Sequence, residues 1–157
     1  MHPNAQLIER LYSAFAKRDY ATMNACYAAD ATFEDAVFNL KGEQIGQMWH
    51  MLCANAKEFS LEFRDVSASD TSGSAHWEAR YVFSSTGRPV HNVIDAEFQI
   101  RDGKIVAHRD RFDFWRWSRQ ALGVAGLLLG WTPILQNKVR AQAAKNLAAF
   151  SIMQGKK

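Results

Sequence analysis

The stretch "YAADATFEDAVF", residues 27–38, sets two carboxylates, Glu34 and Asp35, among β-branched and aromatic neighbours. Read as a strand, its period of two puts Asp35 on the face of Phe33 and Val37 and points an acid toward apolar company; the strand is short, and the alternative is a capped or solvent-facing turn carboxylate. Burial without a partner raises a carboxyl pKa, which suits a group that takes up and returns a proton near neutral pH. A second acid follows later in the chain. Counted from Gly103, inward parity falls on His108, Asp110 and Phe112, while Arg109 and Arg111 turn to the opposite face. Tyr81 shares the face of Trp77 and Phe83, and a buried phenol needs a partner, so it is a candidate pocket donor. His108 and His91 are candidate bases by residue type, although a lone strand histidine is more often a hydrogen-bonded structural group than a base. No cluster has metal-ligand spacing, and there is no GxGxxG, P-loop or GxSxG elbow. The expected chemistry is proton transfer without a cofactor or metal.

The elements that position these residues follow from periodicity. Leu7, Ile8, Leu11 and Phe15 recur at helical spacing after Asn4, an expected N-cap, and Asp19 caps a short second helix. Ile45, Met48, Trp49, Leu52, Cys53 and Ala56 form the strongest helical stripe, after Gly42. From residue 58 the period becomes two, with Phe59, Leu61 and Phe63 in one run and Trp77, Ala79, Tyr81 and Phe83 in the next, separated by "SASDTSGS". "SSTGRP" and "RDGK" set off two further strands, roughly 89–100 and 104–114. Helices followed by antiparallel strands predict an α+β fold, with helices on one face of a curved sheet. Thr132-Pro133 then opens a last helix with Leu135, Val139, Ala143, Leu147 and Phe150 on one face.

A chain of 157 residues, 48% apolar and 22% charged, fits one soluble globular domain. The +3 balance, with Lys138, Arg140, Lys145, Lys156 and Lys157 spread over the last helix and its end, is too diffuse for a nucleic-acid footprint. Cys26 and Cys53 in helix-like segments, with no apolar signal core at the start, lead to the expectation of a reduced, cytoplasmic protein. The apolar run "ALGVAGLLLGW" at 121–131 is too short to span a bilayer, which takes about 20 residues. Between a lid over a pocket or a dimer contact and a lipid contact made together with the basic last helix, the reading is the lid or dimer contact, because an amphipathic helix with one apolar stripe packs readily on protein, and no membrane partner is expected.

Three motifs carry a resemblance: a helix ending in "YAADATFED", Gly42 followed by "EQI", and "VIDAEFQIRDGKI" running into "HRDRFDFW". Over roughly residues 4–117 the chain resembles the NTF2-like superfamily, and within it the ketosteroid isomerase and SnoaL-like polyketide cyclase relatives. The resemblance implies a cone-shaped, cystatin-like α+β fold over residues 1–117, in which a strongly curved sheet wraps around the N-terminal helices and an apolar pocket opens at one end. Residues 118–157 would be a helical extension on the same domain. It also implies a homodimer, a hydrophobic small-molecule ligand, Asp35 as general base and Asp95 as oxyanion-hole acid. Leu11, Tyr27, Phe33, Trp49, Trp77, Phe83 and Phe112 would line the pocket, with Leu11 where the isomerases carry an oxyanion tyrosine and Tyr12 beside it.

For Asp95 the residues oppose the resemblance. Ile94, Ala96, Phe98 and Ile100 throw Asp95 to the other face unless a β-bulge falls between 95 and 98, and on that face its expected partner is Arg80 or Arg101. Asp110 also resembles the last acid of the limonene epoxide hydrolase site. Glu78 and Arg80, the nearest counterparts of that site's earlier Arg and Asp, have other identities and face away from Trp77 and Tyr81. The reading is a cofactor-free acid/base enzyme of isomerase, cyclase or hydrolase type. The alternative is a non-catalytic binding module on the same fold.

Overall fold

The computed structural model describes residues 1–155; Lys156 and Lys157 lie outside the described residues. Helix α1 (Pro3–Ala16) buries Leu7, Ile8, Leu11, Tyr12 and Phe15, and α2 (Tyr20–Ala25) buries Met23. Asp19 caps α2 as expected, accepting from the Thr22 amide at 3.1 Å. The N-cap of α1 is instead His2, whose Nδ1 accepts from the Asn4 amide at 3.0 Å. Asn4 lies inside the helix, and its Nδ2 donates to the carbonyls of Ser69 and Asp70, tying α1 to a turn of the sheet.

The strands are β1 (Tyr27–Glu34), β2 (Asn39–Lys41), β3 (Lys57–Ala68), β4 (Ser72–Phe83), β5 (Arg88–Arg101) and β6 (Lys104–Arg111), and they form one sheet in the order β2-β1-β6-β5-β4-β3. Five strand pairs join the six strands; four are antiparallel, while β1 runs parallel to β6, so the sheet is mixed. Asp102 and Gly103 both have positive φ (52° and 72°), the geometry that a tight hairpin between β5 and β6 requires. Between the β1–β2 hairpin and the sheet's main run lies α3 (Glu43–Asn55), which buries Ile45, Met48, Trp49 and Cys53. Together α1, α3 and the inner face of the sheet enclose the principal core, where Tyr12, Phe15, Trp49, Trp77 and Phe98 meet. The expected α+β architecture of a curved sheet around N-terminal helices is the observed one.

Two strand boundaries differ from the periodic reading. The first strand stops at Glu34, because Asp35 and Phe38 close a turn through Asp35 N–H to Phe38 C=O at 2.9 Å, and β2 returns as a hairpin. The strand expected to reach 114 stops at Arg111. Asp113 accepts from the Arg116 amide at 3.1 Å and caps α4 (Phe114–Leu122), which is followed by α5 (Val124–Leu129) and α6 (Pro133–Gly155). The aromatic residues of "FDFWRW" suit either a strand or a helix, and the cap decides for the helix.

A second, smaller cluster sits where these last helices meet the sheet. Phe114, Trp117 and Ala121 of α4 pack with Val90, and around them stand Ala36, Val37, Tyr81, Phe83, Phe112 and Val139. Helix α4 is stapled to the β4–β5 end by Thr86 Oγ1 to Ala121 C=O at 2.6 Å and Arg88 Nε to Gln120 C=O at 2.8 Å. Helix α4 therefore covers the β4–β5 end of the sheet. Phe150 of α6 also meets the ring of His50 on α3, edge to face at 5.0 Å.

Candidate active site

Asp35 occupies the β1–β2 turn and is partly buried. Its Oδ1 accepts from the amides of Val37 (2.7 Å) and Phe38 (2.6 Å), while Oδ2 takes no hydrogen bond among the described residues. Two amide bonds to one oxygen lower a carboxyl pKa, and burial opposes them. Burial wins: together with the Asp110 charge it holds the group up at about 6, against the Phe38 and Val37 amides and His108. The turn is gripped from outside by α6, as Gln136 Nε2 (3.2 Å) and Arg140 Nε (2.8 Å) both donate to the Ala36 carbonyl.

On β6, His108 and Asp110 point inward together, as the parity from Gly103 requires; their side chains are 0% and 3% exposed. A buried relay runs through them. Trp49 Nε1 donates to the Tyr27 hydroxyl (3.2 Å), which lies 2.8 Å from His108 Nδ1, and His108 Nε2 lies 2.8 Å from Asp110 Oδ1. Trp77 Nε1 donates to the same Asp110 oxygen at 3.4 Å. The indole can only donate, so the Tyr27 oxygen accepts from Trp49 and its proton goes to His108 Nδ1. That assigns the imidazole proton to Nε2, pointing at Asp110, by partner chemistry. Asp110 is thus the acceptor at the end of a satisfied chain.

Tyr81 has a different balance. Its hydroxyl accepts from Trp117 Nε1 at 2.9 Å, and its own proton has no protein acceptor among the described residues. Burial raises its pKa, opposed by the Trp117 bond and reinforced by the Asp35 charge, so the phenol keeps its proton. Tyr12 is fully buried with no hydrogen-bond partner for its hydroxyl, and burial, then the Asp110 charge, raise its pKa well above the usual phenol value. A buried hydroxyl without a partner costs about 1–3 kcal/mol, which a fold rarely tolerates without a reason.

The carboxylate implied at position 95 stays outside. β5 alternates without interruption from Val90 to Ile100, and its register with β6 is regular through Asp95–Arg111, Ala96–Asp110 and Phe98–His108. The irregularity falls between Gln99 and Ile100, too late to turn Asp95 inward. Asp95 is 75% exposed and pairs with His76 Nδ1 at 2.8 Å, not with Arg80 or Arg101. The other nitrogen of His76 meets Glu78 Oε2 at 2.9 Å, and Glu78 also accepts from His91 (2.7 Å) and Arg64 (3.0 Å). With a carboxylate at each ring nitrogen, Asp95 first, His76 is held protonated above its ordinary pKa. Glu78 and His91 are thereby committed to the outer face.

Leu11, Phe33, Trp49 and Trp77 are buried in the principal core with Tyr27 and Phe112 at its margin, while Phe83 belongs to the second cluster. Rings pack closely in this core: Tyr12 stands 5.6 Å from Trp77 and 5.7 Å from Phe63, centroid to centroid. Two surface hollows lie elsewhere. One of about 440 Å³ is on the outer face by Thr32, Glu97 and Arg109, and one of about 390 Å³ is beside Arg80, Tyr81 and His91. Two features lie outside what the periodicity singles out: Trp117 as the partner of Tyr81, and the buried Asn92, whose signal is its inward parity between Val90 and Ile94.

The family model of the SnoaL-like domain matches residues 8–108. The chain belongs to the SnoaL-like domain family. Solved structures share its fold at low identity. An epoxide hydrolase of the LEH-like type from M. tuberculosis is 18% identical with a TM-score of 0.65, over 81% of this chain and 96% of its own. IdmH of Streptomyces antibioticus, described as a candidate polyketide cyclase, is 24% identical at 0.64, over 78% and 100%. A Catenulispora acidiphila protein with a ketosteroid isomerase-like fold, solved with trimethylamine, is 15% identical at 0.67, over 81% and 97%. No curated protein matches the sequence significantly. Glu78 and Arg80 of this SnoaL-like chain lie on the outer face of the sheet.

Two outcomes follow. His108→Phe strands the Asp110 carboxylate and the Tyr27 hydroxyl in the core, and should lower unfolding stability in urea by about 3 kcal/mol or more, with His108→Phe/Asp110→Leu recovering much of it. Because folding raises the Asp35 pKa from 3.8 to about 6, the native state binds more protons than the unfolded chain between those values, and stability falls as pH rises through that window. Asp35→Asn should therefore leave stability unchanged below pH ~4 and raise it by on the order of 1–3 kcal/mol at pH ~8, discounting for partial exposure. An equal effect at both pH values would contradict this.

Proposed function

We propose that the protein is a cofactor-free acid/base enzyme that moves a proton on a hydrophobic carbonyl compound, with Asp35 as the base. The observation that carries this reading is the carboxyl of Asp35, held at about 6 with Oδ2 unused, in a turn that shares the second apolar cluster with Tyr81, a phenol whose proton is also unused and which feels the Asp35 charge. A base with a pKa near the working pH combines availability of the ionised form with driving force for the transfer.

In the proposed step Asp35 Oδ2 takes a proton from the carbon next to the carbonyl. The C–H bonding pair shifts to form the enolate, whose negative charge settles on oxygen, and Tyr81 O–H donates to that oxygen. Returning the proton to another carbon, or letting the enolate attack an internal electrophile, completes an isomerisation or a ring closure without any change in redox state. The donor role falls to Tyr81 because Asp110 is already an acceptor from His108 and Trp77. Asp110 and His108 then act as positioning residues, and the Asp110 charge supports the raised pKa of Asp35. Entry requires α4 and α6 to move away from the Val37 turn, so they serve as a lid.

The test is deuterium wash-in next to the carbonyl of a panel of fused-ring ketones and enones in heavy water. Exchange should rise with pH through about 6, as ionisation of the base requires. Asp35→Asn should reduce it at least about a hundred-fold and Tyr81→Phe about as much, while ligand-induced thermal shifts persist. Exchange that survives Asp35→Asn would refute the assignment, and ligand binding without exchange in the unaltered protein would favour the non-catalytic module.

A further inference from the structure

The apolar run read from the sequence as a lid or dimer contact divides in the structure. Trp117 and Ala121 of α4 face the core, but the residues that follow do not. Val124, Leu127, Leu128, Leu129, Trp131 and Ile134 are all exposed, Trp131 at 73% and Ile134 at 80%. A monomeric surface seldom leaves so many large apolar side chains contiguous unless they meet something.

These side chains are held outward by tight packing on the opposite side of α5. A Cβ on Gly126 would lie 1.8 Å from the Ser118 carbonyl oxygen, and one on Gly130 would lie 1.9 Å from Ser118 Oγ. Only glycine permits that approach. Trp115 Nε1 donates to the Leu127 carbonyl at 3.1 Å and Trp131 Nε1 to that of Leu128 at 3.0 Å, so the indoles tie down the backbone of the same short helix. Helix α5 is thereby clamped to α4 with its leucines presented to solvent.

Charge selects the occupant. Of the nineteen Lys and Arg in the chain, seven lie beyond residue 113 with no Asp or Glu among them, leaving twelve against sixteen acids in the remainder. The body is anionic and the cap is cationic. Arg119 stands 4.0 Å over the Trp115 ring, and Lys138 is exposed on α6. A second copy docked through the same patch would bring two cationic caps together across a two-fold axis. A bilayer with anionic headgroups complements both features, taking the leucines at the acyl boundary, the indole at headgroup level and the cations at the phosphates. No described helix is long and apolar enough to cross a membrane, so the contact is one of lying on the surface.

We propose that α5 and the first turn of α6 dock this protein on the surface of an anionic lipid bilayer, with Leu127, Leu128, Trp131 and Ile134 inserted. The docking stands independently of the chemistry at Asp35, and its test reads no turnover.

The purified full chain is sedimented with vesicles of phosphatidylglycerol and phosphatidylcholine in equal amounts, and with phosphatidylcholine vesicles alone. Binding is expected to the mixed vesicles only, weakening as salt rises from about 0.1 to 0.5 M, and Leu128→Asp should lower the partition coefficient roughly ten-fold or more. In a second measurement, Leu128→Cys carries an environment-sensitive dye, directed there because Cys26 and Cys53 are buried. Its emission should shift to the blue on adding mixed vesicles. Equal binding to both vesicle types, binding unaffected by Leu128→Asp, or an unshifted dye would overturn the proposal. So would a protein that ignores vesicles but forms a dimer split by Leu128→Asp, which would assign the patch to a second copy.

Discussion

The structure turns on a competition at one carboxyl. Asp35 is drawn toward ionisation by the amides of Val37 and Phe38 and away from it by its burial, and burial prevails. That outcome depends on the β1–β2 turn, which brings three consecutive residues under the cap. Asp35 is bound by its own turn, Ala36 by Gln136 and Arg140 of α6, and Val37 by the cluster around Trp117. Without α4 and α6 the same turn would stand at an open rim in water, and its carboxyl would have little reason to depart from ordinary behaviour. The C-terminal helices are accordingly part of the electrostatics of the site as well as its cover.

Deeper in the core, Trp49, Tyr27, His108, Asp110 and Trp77 form a different kind of polar structure. Every proton in the series has a destination, so the series fixes side chains more than it offers chemistry. Unspent hydrogen-bonding capacity remains in Tyr81 O–H, which feels the Asp35 charge, and in Tyr12 O–H, which feels that of Asp110. The isomerases to which the chain bears a resemblance place a tyrosine where Leu11 stands here. Both Leu11 and Tyr12 are fully buried, so the helix brings the neighbouring phenol into the interior as well.

Much of the fold was legible because hydrophobic periodicity is a local signal. The alternation of β5 was read residue for residue, and it correctly opposed the inward placement of Asp95 that the resemblance implied. Local signals gave way where side chains changed the boundary: Asp35 closing a turn, Asp113 capping a helix inside an aromatic run, and His2 displacing Asn4 as a cap. The parallel pairing of β1 with β6 was beyond reach, since register between distant strands is settled by tertiary packing. For the site, parity sufficed to put His108 and Asp110 on one face. It did not show that Asp110 would be occupied by His108 and Trp77, because that depends on indoles arriving from α3 and β4. The value at Asp35 was hidden for the same reason: its burial comes from helices far along the chain.

The most direct measurement of the central claim is the titration of the Asp35 carboxyl by carbon NMR in the full chain, assigned by its loss in Asp35→Asn. The account predicts a midpoint at about 6. A midpoint near the ordinary value of about 3.9 would contradict it, since the turn would then hold a carboxylate that water solvates and that has no special readiness to take a proton.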